Sequence, residues 1–528
     1  MNKKKFIPLF ILGLVIFGLV SGYGRTVIKP RQKITLVFWY TEAEEEELFL
    51  QDVVSEYMAS HPDVEVRLQR QDFFTARDVY RNAFQAGNPP DIFRSSEGDL
   101  AEWIYKGMAA DLTEYFKDDI DDLIPEVKYT AMYDGKLYAM PQTVDMLVLF
   151  YNKKMFTAAG LPFPPDPRTN KTWSWEEFIH DAIVLTNYTS SGYSFNIYKE
   201  LQYSYDVFLW DFGGDFWESK VQSDGYVIYK CDPQHITINS TAAVKALKFM
   251  LSFKDKYGFM ALSHTDVATQ FKEGQIAMVM EGPWSIKTIL QGAAFKGNVS
   301  NLGIAPFPEN GTVNRRKTPI GGHAYVIPPK SVIGEEKFNA AVDLVRYLTS
   351  TEMNVRRAVE LGLLPVRYSA WEDDAVKNDV IMQQLRAYLR FGRMAHPLLV
   401  NWKGFAYDDL GNALKRAWNG EDPKSVLDSV AAKWAKNEYQ TLEFHEPHPI
   451  IKPDYTYLAV IFVIGLCMLP VVDAAFRALK NLPKYEKMVL EREEGSNIEG
   501  DEEKRPPEKH GAPSWGASPE VKDNESED

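Results

Sequence analysis

Cysteine is nearly absent from this chain, with only Cys231 and Cys467 in 528 residues. No Cys/His cluster has zinc-ligand spacing, and two distant thiols cannot make a disulfide-stapled scaffold. Both read as small apolar fillers. There is no G-x-x-x-x-G-K-[ST] segment, which excludes an ATPase of the phosphate-loop kind. Positive charge is in deficit, with a net charge of −14, so the basic face that a nucleic-acid binder needs is missing. Nothing repeats at a solenoid or propeller period. What the chain does have is aromatic surface, 13 % of residues with 12 tryptophans.

Two long apolar runs stand near the ends. Residues 1–24 carry Lys3, Lys4 and Lys5, then an apolar stretch from Phe6 to Val20, then the small residues of Gly22-Tyr23-Gly24. That order matches an export signal, and cleavage and retention as an anchor are both compatible with it. No cysteine follows the run, so a lipid-modified amino terminus is not expected. Tyr455 to Val472 is about the ~18 residues of a membrane-span candidate. Asp473 ends it, and Arg477, Lys480, Lys484 and Lys487 follow, the basic flank that favours a cytoplasmic tail. A buried or amphipathic helix is the bland alternative. The two cysteines would then lie in different compartments. Residues 491–528 are rich in Glu, Lys, Pro, Gly and Ser and are expected to be disordered. Five Asn-x-Ser/Thr sequons, at Asn170, Asn187, Asn239, Asn298 and Asn310, are weak glycosylation signals.

Between these runs the chain has room for two domains at ~100–200 residues each. Ile34 to Trp39 reads as a strand, and Thr41 with Glu44 as a capping box. Phe49, Val53 and Tyr57 recur every fourth residue, and His61-Pro62 stops that helix. Val64, Val66 and Leu68 alternate as a second strand. Arg77 to Ala86 is a second helix, and the turn Gly87-Asn88-Pro89-Pro90 leads to a third strand, Asp91 to Phe93. Strands alternating with helices predict an α/β fold with a parallel sheet.

The stretch FKEGQIAMVMEGPW, Phe271 to Trp284, is the most informative. It predicts a helix end, a turn at Gly274, a buried strand from Ile276 to Met280, and a break at Gly282-Pro283. That break presents Trp284 at a sheet's carboxyl edge, where open α/β sheets place ligands. A core tryptophan at a strand end is the bland alternative. The string resembles the extracellular solute-binding family of ABC importers, the maltose-binding-protein-like sugar binders. FQAGNPPDIF (Phe84 to Phe93), DGKLYAMP (Asp134 to Pro141, with an Asp-Gly hairpin turn) and LFYNKKMFTAAGL (Leu149 to Leu161) are similar to family segments in the same order. So are TWSWEEF, where Ser174 and Glu177 cap a helix, NLGIAPFP (Asn301 to Pro308), GGHAYVIPP (Gly321 to Pro329) and ALKRAWNGEDPKSVLDSVAAKW (Ala413 to Trp434). The lipid cysteine of many members is missing, and the second apolar run and tail are additions.

The resemblance implies two α/β lobes closing on a ligand about a hinge, here with a carboxyl-terminal transmembrane helix. The chain is expected to pass twice between the lobes, which makes each discontinuous. Residues 33–143 with 312–364 would form one lobe, and residues 146–311 with 365–445 the other. A sugar offers apolar C–H faces ringed by hydroxyls, so its site wants aromatic rings plus carboxylates and donors. Trp284 is the leading candidate. Tyr407, between Phe405 and a helix near Leu410, and Tyr203, before FLWDFGG (Phe208 to Gly214), are similar to family positions that stack on sugars. Trp39 and Glu42 follow the first strand, and Ser96 and Glu97 the third. Asp145, flanked by apolar Val144, Met146 and Leu147, lies in the first crossing, and Gly322 and His323 in the second. Each has a plainer reading: half-buried tyrosines, solvated glutamates at helix starts, a structural histidine. The run Glu44 to Glu47 is a solvated helix face, and no metal or cofactor is expected.

The function so implied is an exterior, membrane-anchored substrate-binding subunit that captures a sugar or oligosaccharide. It would deliver that ligand to separate permease subunits with a cytoplasmic ATPase, and perform no chemistry itself. A membrane-tethered sensor or adhesin working through the tail is the second class. A glycoside hydrolase using Asp145 and Glu97 as the flanking carboxylates is the third.

Overall fold

Strand β1 (Ile34–Tyr40) alternates buried and half-buried residues along its length. It pairs in parallel with β2 (Val64–Arg70) and β3 (Ile92–Ser96). Helices α1 (Glu45–Ser60) and α2 (Ala76–Gln85) supply the crossovers that parallel pairing requires. These bounds come from a computed structural model that describes residues 33–437 and 439, apart from 43–44, 222–226, 261–265, 311–316, 395–396 and 398. Residues 1–24, 455–472 and 491–528 lie outside the described residues, as do Cys467 and the Glu44 half of the first capping box. Among the described residues no helix is long and apolar enough to cross a membrane.

The four-residue apolar spacing of α1 buries Phe49, Val53 and Tyr57 against the sheet. Beneath α2, the Tyr80 ring stacks on Phe93 at 4.3 Å and meets Trp103 edge-on at 4.9 Å. The hairpin at Asp134-Gly135 forms as expected. Asp134 has φ 50° and Gly135 φ 72°, the two left-handed residues of a tight two-residue turn.

The chain then leaves this sheet. β4 (Met140–Met146) runs through Leu147 directly into β5 (Val148–Asn152). β4 pairs in the first sheet, whereas β5 lies in a second sheet of order β8-β5-β7-β6, with β6 Phe195–Asn196, β7 Met278–Glu281 and β8 Leu302–Ala305. β9 (Thr318–Val326) returns to the first sheet, antiparallel to both β3 and β4. The short β10 (Gly392–Met394) adds in parallel to β9. Each sheet carries helices, and the molecule is two-lobed.

The second lobe is held by an aromatic core. Trp175, the first residue of α3 (Trp175–Leu185), stacks on Phe208 of α4 (Leu201–Asp211) at 5.3 Å. The capping box of Ser174 with Glu177 forms at the start of α3. Residues 404–434 pack beside α4 and the helix Thr241–Asp255.

Gly322 shows why the crossing strands need a glycine. A Cβ there would stand 2.2 Å from the carbonyl oxygen of Thr143 on β4 and 2.9 Å from Glu97 Oε1. No side chain fits so close to a backbone carbonyl, so the two strands can approach only at a glycine.

Candidate functional site

A cleft of about 550 Å³ opens between the lobes, within the size range of small-molecule sites. Its first wall is polar. Glu42 stands just past the end of β1 and Arg94 on β3. Arg94 Nε lies 3.1 Å from Glu42 Oε1 and 2.7 Å from Gln142 Oε1, and another guanidinium N–H donates to the Thr41 hydroxyl at 2.7 Å. Gln142 in turn donates to Glu42 at 3.0 Å. Arg94 and Glu42 are 5 % and 3 % exposed. This buried charge pair is hydrogen-bonded to Gln142 and Thr41, the condition under which a buried pair is tolerated.

The floor is formed by the crossing strands. Asp145 on β4 is in register with Gly321 on β9, and His323 Nδ1 lies 3.2 Å from Asp145 Oδ2. Burial and the Arg94 charge hold the imidazole below its ordinary value, with Asp145 opposing. The histidine therefore favours its neutral form.

The second wall is aromatic. Tyr198 and Tyr203 come from the start of α4 and the segment before it. Trp284 follows β7, and Tyr407 sits in the turn Gly404–Gly411, which has π-helical geometry, a form enriched at functional sites. Tyr198 meets Trp284 edge-on at 5.4 Å. The Tyr203 hydroxyl donates to the carbonyl of Pro319 at 3.1 Å, tying this wall to the returning strand. Glu281, Lys199 and Lys287 add polar atoms.

Eight of the ten residues singled out in the sequence line this cleft: Glu42, Ser96, Asp145, Tyr203, Trp284, Gly322, His323 and Tyr407. Trp39 and Glu97 do not. β1 continues one residue further than expected, to Tyr40, so the sheet edge falls at Thr41 and Glu42. Trp39 instead donates its indole N–H to Gln69 on β2 at 2.7 Å. Glu97 begins a short 3₁₀ turn that tucks it, 5 % exposed, beneath Gly322. Burial, with Asp145 nearby, raises its carboxyl well above the usual range. Sequence reasoning missed Arg94, Tyr198, Phe73 and Phe74. The signal for Arg94 was a lone charge inside the buried strand IFRSS.

Two cleft carboxyls titrate near neutrality. Burial raises Glu46 from 4.5 to about 7, with Glu42 and Asp145 adding and Arg94 opposing. Burial raises Glu281 likewise to about 7, against the N–H of Gly282. Each holds its proton in the folded chain after the unfolded chain has released it. Folded protein therefore binds more protons between about pH 4.5 and 7, and these groups make stability fall as pH rises through that window. His323 acts in the opposite sense. The readout is therefore a comparison of urea midpoints at pH 5 and pH 8. The Glu46→Gln, Glu281→Gln double variant is expected to lose less stability over that interval than the parent. An identical slope in both proteins would remove this assignment.

The family comparisons agree with this architecture. Residues 52–384 match the family described as bacterial extracellular solute-binding protein. The maltotriose-binding protein of Pyrococcus abyssi is 25% identical over 355 residues, 66% of this chain and 70% of the relative. The galactooligosaccharide-binding protein of Bacillus subtilis is 25% identical over 414 residues, 76% of this chain and 89% of the relative. Among solved structures, the GacH receptor of Streptomyces glaucescens superposes with a TM-score of 0.66 at 24% identity, covering 76% of this chain and 98% of that one. Maltose-bound MalE3 of T. maritima gives 0.65 at 20% identity, covering 76% and 99%. Because that match spans more than half of the chain, this chain belongs to the bacterial extracellular solute-binding protein family.

Proposed function

We propose that this protein is the substrate-binding subunit of an ABC importer and captures a sugar or oligosaccharide between its lobes. The observation that carries this reading is the pairing of walls. Tyr198, Tyr203, Trp284 and Tyr407 supply rings on one side, and Glu42, Arg94, Asp145 and His323 supply directed polar atoms on the other. Rings suit the C–H faces of a pyranose, and carboxylates and donors suit its hydroxyls. The relatives named for maltotriose and galactooligosaccharide support the same class. Ligand-binding roles go to the eight lining residues named from the sequence. The parts that close are residues 33–143 with 312–364 and residues 146–311 with 365–445, apart from β10, which adds to the first sheet. The chain performs no chemistry; it delivers its ligand to a permease whose ATPase lies inside. Residues 455–472 anchor it with the tail cytoplasmic, on the strength of their apolar length and basic flank.

Thermal melting of the full-length protein against neutral mono- and oligosaccharides tests the binding role. A ligand that binds only the folded state raises the melting temperature, by about 2.7 kcal/mol of stability at a hundred times its Kd. No shift with any sugar, alongside a shift with sn-glycerol 3-phosphate, would replace sugar by a phosphorylated polyol. Protease added to intact cells tests the anchor: it should spare a tag placed after Asp528.

A further inference from the structure

The first lobe lines the cleft with polar groups, two buried leucines, Leu361 and Leu363, and one exposed apolar pair. Phe73 and Phe74 occupy the turn between β2 and α2, line the cleft, and are 42 % and 51 % exposed. Two adjacent large apolar rings left open to water mark a contact surface. The turn that carries them is well tied. Asp72 Oδ1 accepts the backbone N–H groups of Phe74 and Thr75, each at 3.1 Å, and the Thr75 hydroxyl at 3.2 Å. Gln71 N–H donates to the Tyr40 carbonyl at 2.8 Å. From the second lobe, Lys403 donates to the Phe74 carbonyl.

The rings are also placed with respect to each other and to both lobes. They meet edge to face, 5.3 Å apart at 88°. Phe73 approaches His323 at 5.9 Å, which sets it beside the cleft floor. Phe74 lies 5.8 Å beneath Lys199 Nζ, which reaches over from the second lobe. The pair therefore lies between groups of both lobes, with an ammonium donor above one ring. Arg94, Glu42 and Trp284 are more deeply set. A ligand of one or two sugar rings gathered around them would leave the phenylalanines wet, and a longer chain would cover them.

We propose that Phe73 and Phe74, with Lys199, form an outer aromatic subsite that stacks on a sugar unit at the open end of the cleft. The subsite sets a preference for longer oligosaccharides over mono- and disaccharides. The inference rests on the carbohydrate reading above. An exposed aromatic edge suits the end of a chain that continues toward solvent, because the C–H face is covered while the outer hydroxyls stay hydrated.

The test is calorimetric titration of the full-length protein with gluco- and galacto-oligosaccharides of one to four units. Parent protein is compared with the double variants Phe73→Ala, Phe74→Ala and Phe73→Leu, Phe74→Leu, and with Phe73→Tyr, Phe74→Tyr. Loss of a ring stack is expected to weaken tri- and tetrasaccharide binding on the order of tenfold and mono- and disaccharide binding much less. The tyrosine variant should retain the preference and the leucine variant should lose it, because a flat face and not apolar area is required. An equal loss at every length, or no loss at any, overturns the subsite while leaving sugar binding intact. Parent protein that binds none of these sugars overturns the carbohydrate reading itself, and the subsite with it.

Discussion

Replacing Arg94 by methionine is expected to destabilise the fold by about 3–5 kcal/mol, because it leaves a buried carboxylate without its counter-charge. The Glu42 side chain is 2 % exposed and that of Arg94 6 %, so water cannot take over the missing contacts. Gln142 and the Thr41 N–H, at 3.0 Å each, offset part of the loss but carry no full charge. Arg94→Met combined with Glu42→Leu should cost less than Arg94→Met alone, since removing both members of a buried pair costs far less than removing one. Urea unfolding of the four proteins in that cycle measures the coupling. A single variant within about 1 kcal/mol of the parent would mean that the pair is hydrated, and that Arg94 serves the ligand and not the fold.

The sequence signals worked where one physical cause dominated. Phe49, Val53 and Tyr57 had no competing reading, since one helix face must bury them, and Ser174 with Glu177 encodes its own cap. Asp134-Gly135 declared a turn because few other pairs accept two left-handed conformations. Failures came where position depends on distant segments. One extra residue of pairing between β1 and β2, Tyr40 with Arg70, moved the sheet edge past Trp39 and onto Thr41. Arg94 is useful only because Gln142, from the crossing strand, and Glu42, from the first strand, converge on it. No local pattern announces that convergence. Phe73 and Phe74 carry no local signal in their connection; only the approach of His323 and Lys199 sets them apart.

Trp284→Ala is expected to lower sugar affinity by about 2 kcal/mol, roughly thirtyfold, with little change in melting temperature. The ring is half-buried and leans on Tyr198, so it is neither sealed in the core nor free in water. A core tryptophan removed in this way would instead cost about 3–5 kcal/mol of fold stability. Gly282 provides an independent handle on the same ring. Its backbone is ordinary extended chain, φ −104° and ψ 167°, so alanine strains nothing there. Its Cβ would nevertheless stand 2.0 Å from Trp284 Cζ3, so the indole must swing away from the place it now holds. Gly282→Ala should therefore reproduce much of the affinity loss of Trp284→Ala while the tryptophan itself remains in the chain. A shift in its fluorescence would report the displacement. Combining the two substitutions should add little beyond Trp284→Ala, since both act through one ring. Intact affinity in Trp284→Ala with a steep fall in melting temperature would make this residue part of the scaffold, and the aromatic wall would then rest on Tyr198, Tyr203 and Tyr407 alone.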